Sequence, residues 1–336
     1  MREIGSEFWS VPTISSNNNL FPESTQWFLS GRSALQAIIA DIEGAKNVAL
    51  PSWCCDSIIK PFLDAGLEVK YYPVFWSEEL KQDIRLDCDV ILIMDYFGYS
   101  SSSFDLTDYK GIVIRDLTHS LFSKDHSKYD YQFGSLRKWC GIWTGGYAWA
   151  KNNRPISAEC YFDSEFPSLR EKAMEKKEDY LLNKRGSKEE YLELFRSAEE
   201  YLDTVGIAKA SDRDISLAEK MDVELIRDKR RENAGILHDN LSELLMFKDF
   251  GPSDCPLFVP IMVPNGLRDK LHRFLISNDI FCPLHWPISA YHKLDSKTRE
   301  IYENEISLVC DQRYSAEDMY RIVDTIKAFF REEKCH

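Results

Sequence analysis

The stretch from Gly111 to Trp149, GIVIRDLTHSLFSKDHSKYDYQFGSLRKWCGIWTGGYAW, constrains this chain more than any other. An apolar run, Ile112 to Ile114, delivers Asp116 to a strand end, and Thr118 and His119 follow before a polar loop. A second short run, Tyr131 to Phe133, leads into Ser135-Leu136-Arg137-Lys138 and an aromatic, Gly-rich turn. The pattern therefore places a carboxylate at the end of one strand and a lysine just after the next. Each has a plain alternative: Asp116 caps the following turn, or Lys138 and Arg137 form a solvated basic pair.

Taken together, the two residues match the needs of a pyridoxal phosphate site. That cofactor acts as an electron sink while its ring nitrogen stays protonated, and a buried carboxylate beside the nitrogen favours the charged form. Asp116 is the candidate. A lysine must hold the aldehyde as a Schiff base and then shuttle a proton, and Lys138 is the candidate. The phosphate needs a helix N-terminus and hydroxyl donors, because unpaired N–H groups and the helix dipole favour an anion. Ser30-Gly31-Arg32-Ser33, opening the periodic segment ALQAIIADI, supplies the first, and Ser135 supplies a hydroxyl.

The rest of the chain bounds the reading. Its 336 residues suffice for one large or two moderate domains. Lys and Arg total 42 against 55 Asp and Glu, a net charge of −13, which argues against a nucleic-acid partner. The opening residues carry no apolar signal-like core, and no apolar run approaches the roughly 18 residues of a membrane span, so a cytoplasmic protein is expected. Nine scattered cysteines form no C-x-x-C pair. Free thiols are expected, with neither a disulfide scaffold nor a metal site.

The first 28 residues are poorly periodic and are expected to wrap the surface or reach a neighbouring subunit. A helical stripe runs from Ala34 to Ile42 and stops at Gly44. NVALPSW reads as a strand, 56–64 as a helix ended by Gly66, and LEVKYYPV and VILIM as strands, with YFGYSSSS leaving the last. This alternation predicts an α/β fold with a parallel sheet covered on both faces, its ligand at the carboxyl ends of the strands. Between 151 and 215 the sequence is highly charged, with a helical face at 191, 194, 195, 198, 201 and 202. One long helix is predicted over about 216–245, its RDKRRENA segment polar, with Arg227, Arg230 and Arg231 expected to form surface salt bridges in preference to touching a phosphate of a bound cofactor or substrate across a dimer. The final residues read as strand (LFVPIMV), helix (RDKLHRFLISND), strand (IFCPLHWP) and a terminal helix begun by Ser315.

LSGRSAL at 29–35, LPSWCCDSI at 50–58, DYFGY at 95–99, RDLTHS at 115–120 and GSLRKW at 134–139 together resemble the DegT/DnrJ/EryC1/StrS sugar aminotransferases. RRENAGILHDNL, IFCPLHWP and SLVCDQRYSAEDMYRI extend the resemblance over nearly the whole chain, most weakly at 151–215. It implies the fold type I architecture of pyridoxal phosphate enzymes: a large domain with a mostly parallel seven-stranded sheet and an N-terminal arm (1–215), then a connecting helix and a small C-terminal α+β domain (216–336). It implies Lys138 and Asp116 as catalytic residues, Gly31, Arg32, Ser33 and Ser135 around the phosphate, and His119 near the cofactor's hydroxyl.

The pyridine-stacking position departs from the family, which places an aromatic where a register count here finds Cys55; Trp53 and Tyr96 are the rival rings. A second departure is Phe133, five residues before the lysine, where many relatives carry a phosphate-binding serine. The S-x-x-K spacing is shared with penicillin-binding enzymes, but no accompanying motif fits. His285 and Trp286 face substrate by resemblance, or form a structural corner.

The resemblance further implies transfer of an amino group from an amino acid such as glutamate to a nucleotide-linked keto-sugar, in a homodimer with shared active sites. Two other readings compete. Asp116 and Lys138 serve a lyase or racemase equally well, and a non-catalytic fold member would act as a binding or regulatory protein.

Overall fold

The computed structural model describes residues 3–84, 87–99, 106–123 and 128–334. Its centre is a seven-stranded sheet built from β2 (Gln26–Phe28), β3 (Asn47–Pro51), β4 (Glu68–Tyr72), β7 (Val90–Met94), β8 (Ile112–Asp116), β9 (Tyr131–Ser135) and β10 (Gly146–Ala150). The strand order is β2-β10-β9-β8-β7-β3-β4. β10 runs antiparallel to both neighbours, and the pairings from β9 through β4 are parallel. VILIM of β7 is buried at every position, as a strand covered on both faces must be. The strand alternation of β10 puts Ala148 with one core and Tyr147 and Trp149 with another.

Two helices, α1 (Gly31–Asp41) and α2 (Asp56–Asp64), cover one face, with α1 on β9 and β10 and α2 on β4. Tyr147 and Trp149 face the other way, into a cluster with Ala218, Met221, Ile226 and Leu257. The expected alternation of strands and helices holds through β4, with α1 between β2 and β3 and α2 between β3 and β4. Beyond β4 the chain forms a hairpin, β5 (Val74–Ser77) with β6 (Glu79–Gln82), and among the described residues no helix separates β7 from β8 or β8 from β9. Part of the loop leaving β7, 100–105, and Cys335 lie outside the described residues. The other eight cysteines are free thiols.

The charged segment forms α3 (Glu165–Glu178) and α4 (Lys188–Leu202), which pack on each other. The stripe read from the sequence is the buried one: Tyr191, Phe195, Ala198 and Leu202 point inward. The single long helix expected over 216–245 is instead two, α5 (Asp212–Glu219) and α6 (Val223–Asn240). Asp222 causes the break, because its side chain accepts the Leu225 N–H and starts a new helix. Nor are Arg230 and Arg231 of α6 surface pairs. Arg230 is fully buried, donating to the carbonyls of Pro256 and Leu257 and to Gln312, and Arg231 binds the Gly251 and Asp254 carbonyls.

The C-terminal part holds β11 (Phe258–Met262), α7 (Arg268–Ser277), the short β12 (Ile280–Phe281), α8 (Ser296–Asn304), β13 (Glu305–Val309) and α9 (Ala316–Lys334). Here α8 and β13 were not read from the sequence, and IFCPLHWP is strand over only two residues. β11 pairs with β13, not with that segment. Ser315 and Asp318 cap α9 reciprocally. The opening residues wrap the surface: β1 (Ile4–Gly5) pairs with β12, and Asn18 donates to the carbonyls of Ala218 and Met221. They pass so close to the Gly-rich turn that a Cβ on Gly141 would stand 2.1 Å from the Ser10 nitrogen.

That turn is held by one buried carboxylate. Asp214 accepts from the Thr144 N–H (2.8 Å), the Thr144 hydroxyl (2.6 Å) and the Ser211 hydroxyl (2.8 Å). Asp214→Ala strands several buried donors and is expected to cost about 2–3 kcal/mol. Asp222→Ala loses one exposed cap and is expected to cost about 1 kcal/mol. Urea unfolding of the two variants checks the order.

Candidate active site

Parallel pairing of β8 with β9 sets the site. Asp116, the last residue of β8, stands opposite Phe133, so Ser135 lies two residues farther along β9, about 7 Å beyond it. A single 3-10 turn, Leu136–Lys138, follows and leaves Lys138 exposed at the rim of a cavity. The N-terminus of α1 comes up beside Ser135: a Cβ on Gly31 would lie 3.2 Å from Ser135 Cβ and 3.4 Å from the Gly134 carbonyl. Ser30 caps α1 by accepting the Ser33 N–H.

Two of the phosphate candidates are already engaged through their side chains. The Ser33 hydroxyl donates to the Gly206 carbonyl, and Arg32 pairs with Asp203 and donates to the Leu202 carbonyl. What α1 still offers is backbone. Among the described residues the Gly31 and Arg32 N–H groups have no hydrogen-bond partner, as first-turn donors lack one unless capped. With the half-buried Gly31 and the Ser135 hydroxyl, they make an anion-binding corner.

Asp116 is buried and accepts the Thr118 N–H at 2.8 Å. Burial is the main influence on its carboxyl and pushes the pKa up to about 6; Thr118 opposes this and Asp95 adds to it. The neighbouring Arg115 is spent on Asp95, both buried. His119 is also buried, and its Nδ1 has no partner among the described residues. Burial first, then the nearby His285 and Lys138, hold its pKa well below the ordinary range, so the ring is neutral. Its ring lies 5.6 Å from that of Trp286, nearly parallel to it, and 4.9 Å from Phe97.

Of the three stacking candidates, Trp53 and Tyr96 are fully buried and stack on each other at 4.9 Å. The Trp53 indole donates to the His285 carbonyl, and the Tyr96 hydroxyl donates to the Trp53 carbonyl. Neither ring therefore presents a free face; they form the wall behind the site. Cys55 is the partly exposed member, its Sγ 2.8 Å from Ser57 Oγ. Lys138 and Asp116 both act electrostatically on that thiol, which burial pushes up.

A cavity of about 620 Å³ opens in front of Lys138. His285 lines it, whereas Trp286 sits behind, packed on Trp53 and His119. The structure also brings in residues that sequence reasoning did not single out: Glu7 of the arm, Glu199 of α4 and Arg137. Arg137 pairs with the half-exposed Glu199 at 2.8 Å, and the partial desolvation of Glu199 is outweighed by Arg137, Lys138 and Arg170, which bring its pKa down to about 2. No local pattern links positions 7, 137 and 199. Among the described residues no cluster of His, Cys, Asp and Glu is placed to hold a metal.

No family model matches the sequence, and no curated protein matches it by sequence. Solved structures do match. A DegT DnrJ EryC1 StrS aminotransferase from Brucella abortus, 15% identical, superposes over 91% of this chain and 85% of its own with a TM-score of 0.61. The fold is that of the pyridoxal phosphate-dependent transferases. PseC of Helicobacter pylori, an aminotransferase involved in the biosynthesis of pseudoaminic acid, is 15% identical and covers 97% of this chain and 100% of its own at a TM-score of 0.66. NtdA from Bacillus subtilis, with bound cofactor PMP, is 15% identical over 90% of this chain and 72% of its own, TM-score 0.61.

The Asp116 shift has a consequence for the protein without cofactor. The folded carboxyl holds its proton up to about pH 6, while the unfolded one releases it near 3.8. The folded state therefore binds more protons across that window, and stability falls as pH rises from about 4 to 6. Asp116→Asn removes the effect and keeps an acceptor for Thr118. The variant is expected to match the wild type near pH 4 and to exceed it by about 2–3 kcal/mol at pH 7. Urea unfolding at several pH values reads this, and a difference that stays constant with pH refutes it.

Proposed function

We propose that this chain is a pyridoxal phosphate-dependent aminotransferase that moves an amino group from an amino acid such as glutamate to a keto-sugar, nucleotide-linked. The observation that carries the reading is Asp116: a buried carboxylate at a strand end, with no ion-pair partner among the described residues, on the fold of enzymes that bind a protonated pyridine. The remaining residues fit the same group. The Gly31 and Arg32 N–H groups and Ser135 would hold its phosphate, the orphaned Nδ1 of His119 would meet its ring substituents, Cys55 would border its ring, and Lys138 would hold its aldehyde carbon.

When bound, pyridoxal phosphate supplies an electron sink for the bonds of the substrate's α-carbon. The chain's own part is acid–base work and exclusion of water. Lys138, at the rim of the cavity, is placed to take a proton from one carbon and return it to another. Asp116 keeps a positive charge in the ring stable by Coulomb attraction within a dry site. The wall of Trp53, Tyr96 and Phe97 excludes solvent behind it.

The same reading includes a homodimer with shared sites, because Lys138 is exposed in the single chain where a partner would cover it. It includes a division into 1–215 and 216–336. One buried cluster surrounds the large sheet and another joins α6, α7, α9 and β13, with Ile4 of the arm lent to the second. The eight unpaired thiols favour a cytoplasmic setting. No described helix is long and apolar enough to cross a membrane.

The test is an absorbance spectrum of the purified protein with added pyridoxal phosphate. A visible band that forms with the wild type, is absent in Lys138→Ala and bleaches with glutamate supports the reading. A wild-type protein that takes up no cofactor at saturation overturns it.

A further inference from the structure

In the cavity that Lys138 lines, β13 and the segment that follows β12 build a relay of three residues. His285 Nδ1 lies 2.8 Å from Ser307 Oγ, and the Ser307 hydroxyl donates to Glu305 Oε1. The other oxygen of Glu305 accepts the His285 backbone N–H at 2.8 Å. Glu305 and Ser307 are buried and, two apart on β13, point the same way. The Ser307 N–H binds the Pro283 carbonyl and ties the segment down. Phe97, Phe258 and Trp286 pack around the imidazole at 5.2, 5.3 and 5.0 Å between ring centres.

This geometry selects a tautomer. A hydroxyl has one proton, and that of Ser307 goes to Glu305, so toward His285 its oxygen acts as acceptor. Nδ1 must carry hydrogen, and the lone pair is left on Nε2, which among the described residues has no hydrogen-bond partner. The ring lines the same cavity as Lys138. A histidine held in one tautomer by a hydroxyl and a buried carboxylate is arranged as a proton carrier.

We propose that His285 exchanges a proton with the substrate's amino group, with Ser307 and Glu305 as positioning residues; this deepens the aminotransferase reading and rests on it. An amino donor arrives as an ammonium, whose nitrogen has no lone pair. One of its N–H bonds breaks and an Nε2–H bond forms, leaving a neutral amine and an imidazolium. When the acceptor has become a product amine, the Nε2–H bond breaks and the proton passes to that nitrogen. Protons balance across the two halves, and no oxidant or reductant is needed.

The charged and titratable neighbours of His285 divide clearly. Glu305, 3.8 Å from Nδ1, stabilises the imidazolium. His119 is neutral, Glu7, Arg137, Lys138, Glu199 and Arg230 line the same cavity, and Asp311 and Arg313 at the cavity wall pair with each other. The closest contact is the favourable one.

The test has two readouts on the full chain. With ¹⁵N-labelled histidine, long-range ¹H–¹⁵N spectra are expected to show His285 as the Nδ1–H tautomer, a preference lost in Ser307→Ala. With pyridoxal phosphate bound, His285→Gln is expected to slow the single-turnover reaction with glutamate about 100-fold, and Ser307→Ala to slow it less and to shift its pH profile. An Nε2–H tautomer in the wild type, or a His285→Gln protein with wild-type rate and pH profile, overturns the proposal. Should the wild type bind no cofactor, the aminotransferase reading fails by that result, whereas the tautomer spectrum still decides the relay.

Discussion

Everything at the candidate site depends on the parallel register between β8 and β9. That pairing places Asp116 opposite Phe133 and sends Ser135, then Lys138, past the end of the sheet on the neighbouring strand. A shift of one residue would turn Ser135 to the other face of the sheet, because side chains alternate with period two. Two features outside the pair protect the register. The α1 N-terminus presses on Gly134 and Ser135 through Gly31, where a Cβ would crowd Ser135 at 3.2 Å, and Asp214 ties the Gly-rich turn between Lys138 and β10.

Charge is distributed around that frame in a graded way. Deep in the sheet, Arg115 and Asp95 neutralise one another. One residue on, Asp116 has no ion-pair partner among the described residues. Farther out, Arg137, Lys138 and Arg170 surround Glu199 and Glu7, and on the opposite wall Glu305 and Ser307 hold His285. Asp116 is thus a buried group that a cationic ring would complete. A carboxylate kept in this state destabilises the empty protein at neutral pH and strengthens its hold on a positively charged partner, because the same desolvation acts with opposite sign in the two cases.

Much of the fold was legible where local pattern and tertiary role coincide. The buried run VILIM, the capped stripe of α1, the amphipathic face of α4 and the reciprocal cap at Ser315 all declare themselves over short spans. Reading failed where a single residue or a distant partner decided. Asp222 ends one helix and begins another within an otherwise continuous stripe. Arg230, polar by composition, is buried because the carbonyls of Pro256 and Leu257 and the amide oxygen of Gln312 converge on it. Trp53 and Tyr96 read as rings for a ligand, but they satisfy each other's faces and leave Cys55 at the edge of the site.

The sequence by itself determined that this chain builds an α/β sheet ending in a carboxylate on one strand and a lysine after the next, since strand periodicity, a helix cap and a Gly-rich turn are properties of short segments. Tertiary structure alone decided the environments. The lack of an ion-pair partner for Asp116 among the described residues, the alignment of Gly31 with Ser135, the joining of Glu7 and Glu199 to the lysine's cavity and the link from His285 to Ser307 and Glu305 bring together segments up to nearly 200 positions apart. Burial and electrostatic coupling depend on distance in space, and no periodicity along the chain encodes which distant segments will meet.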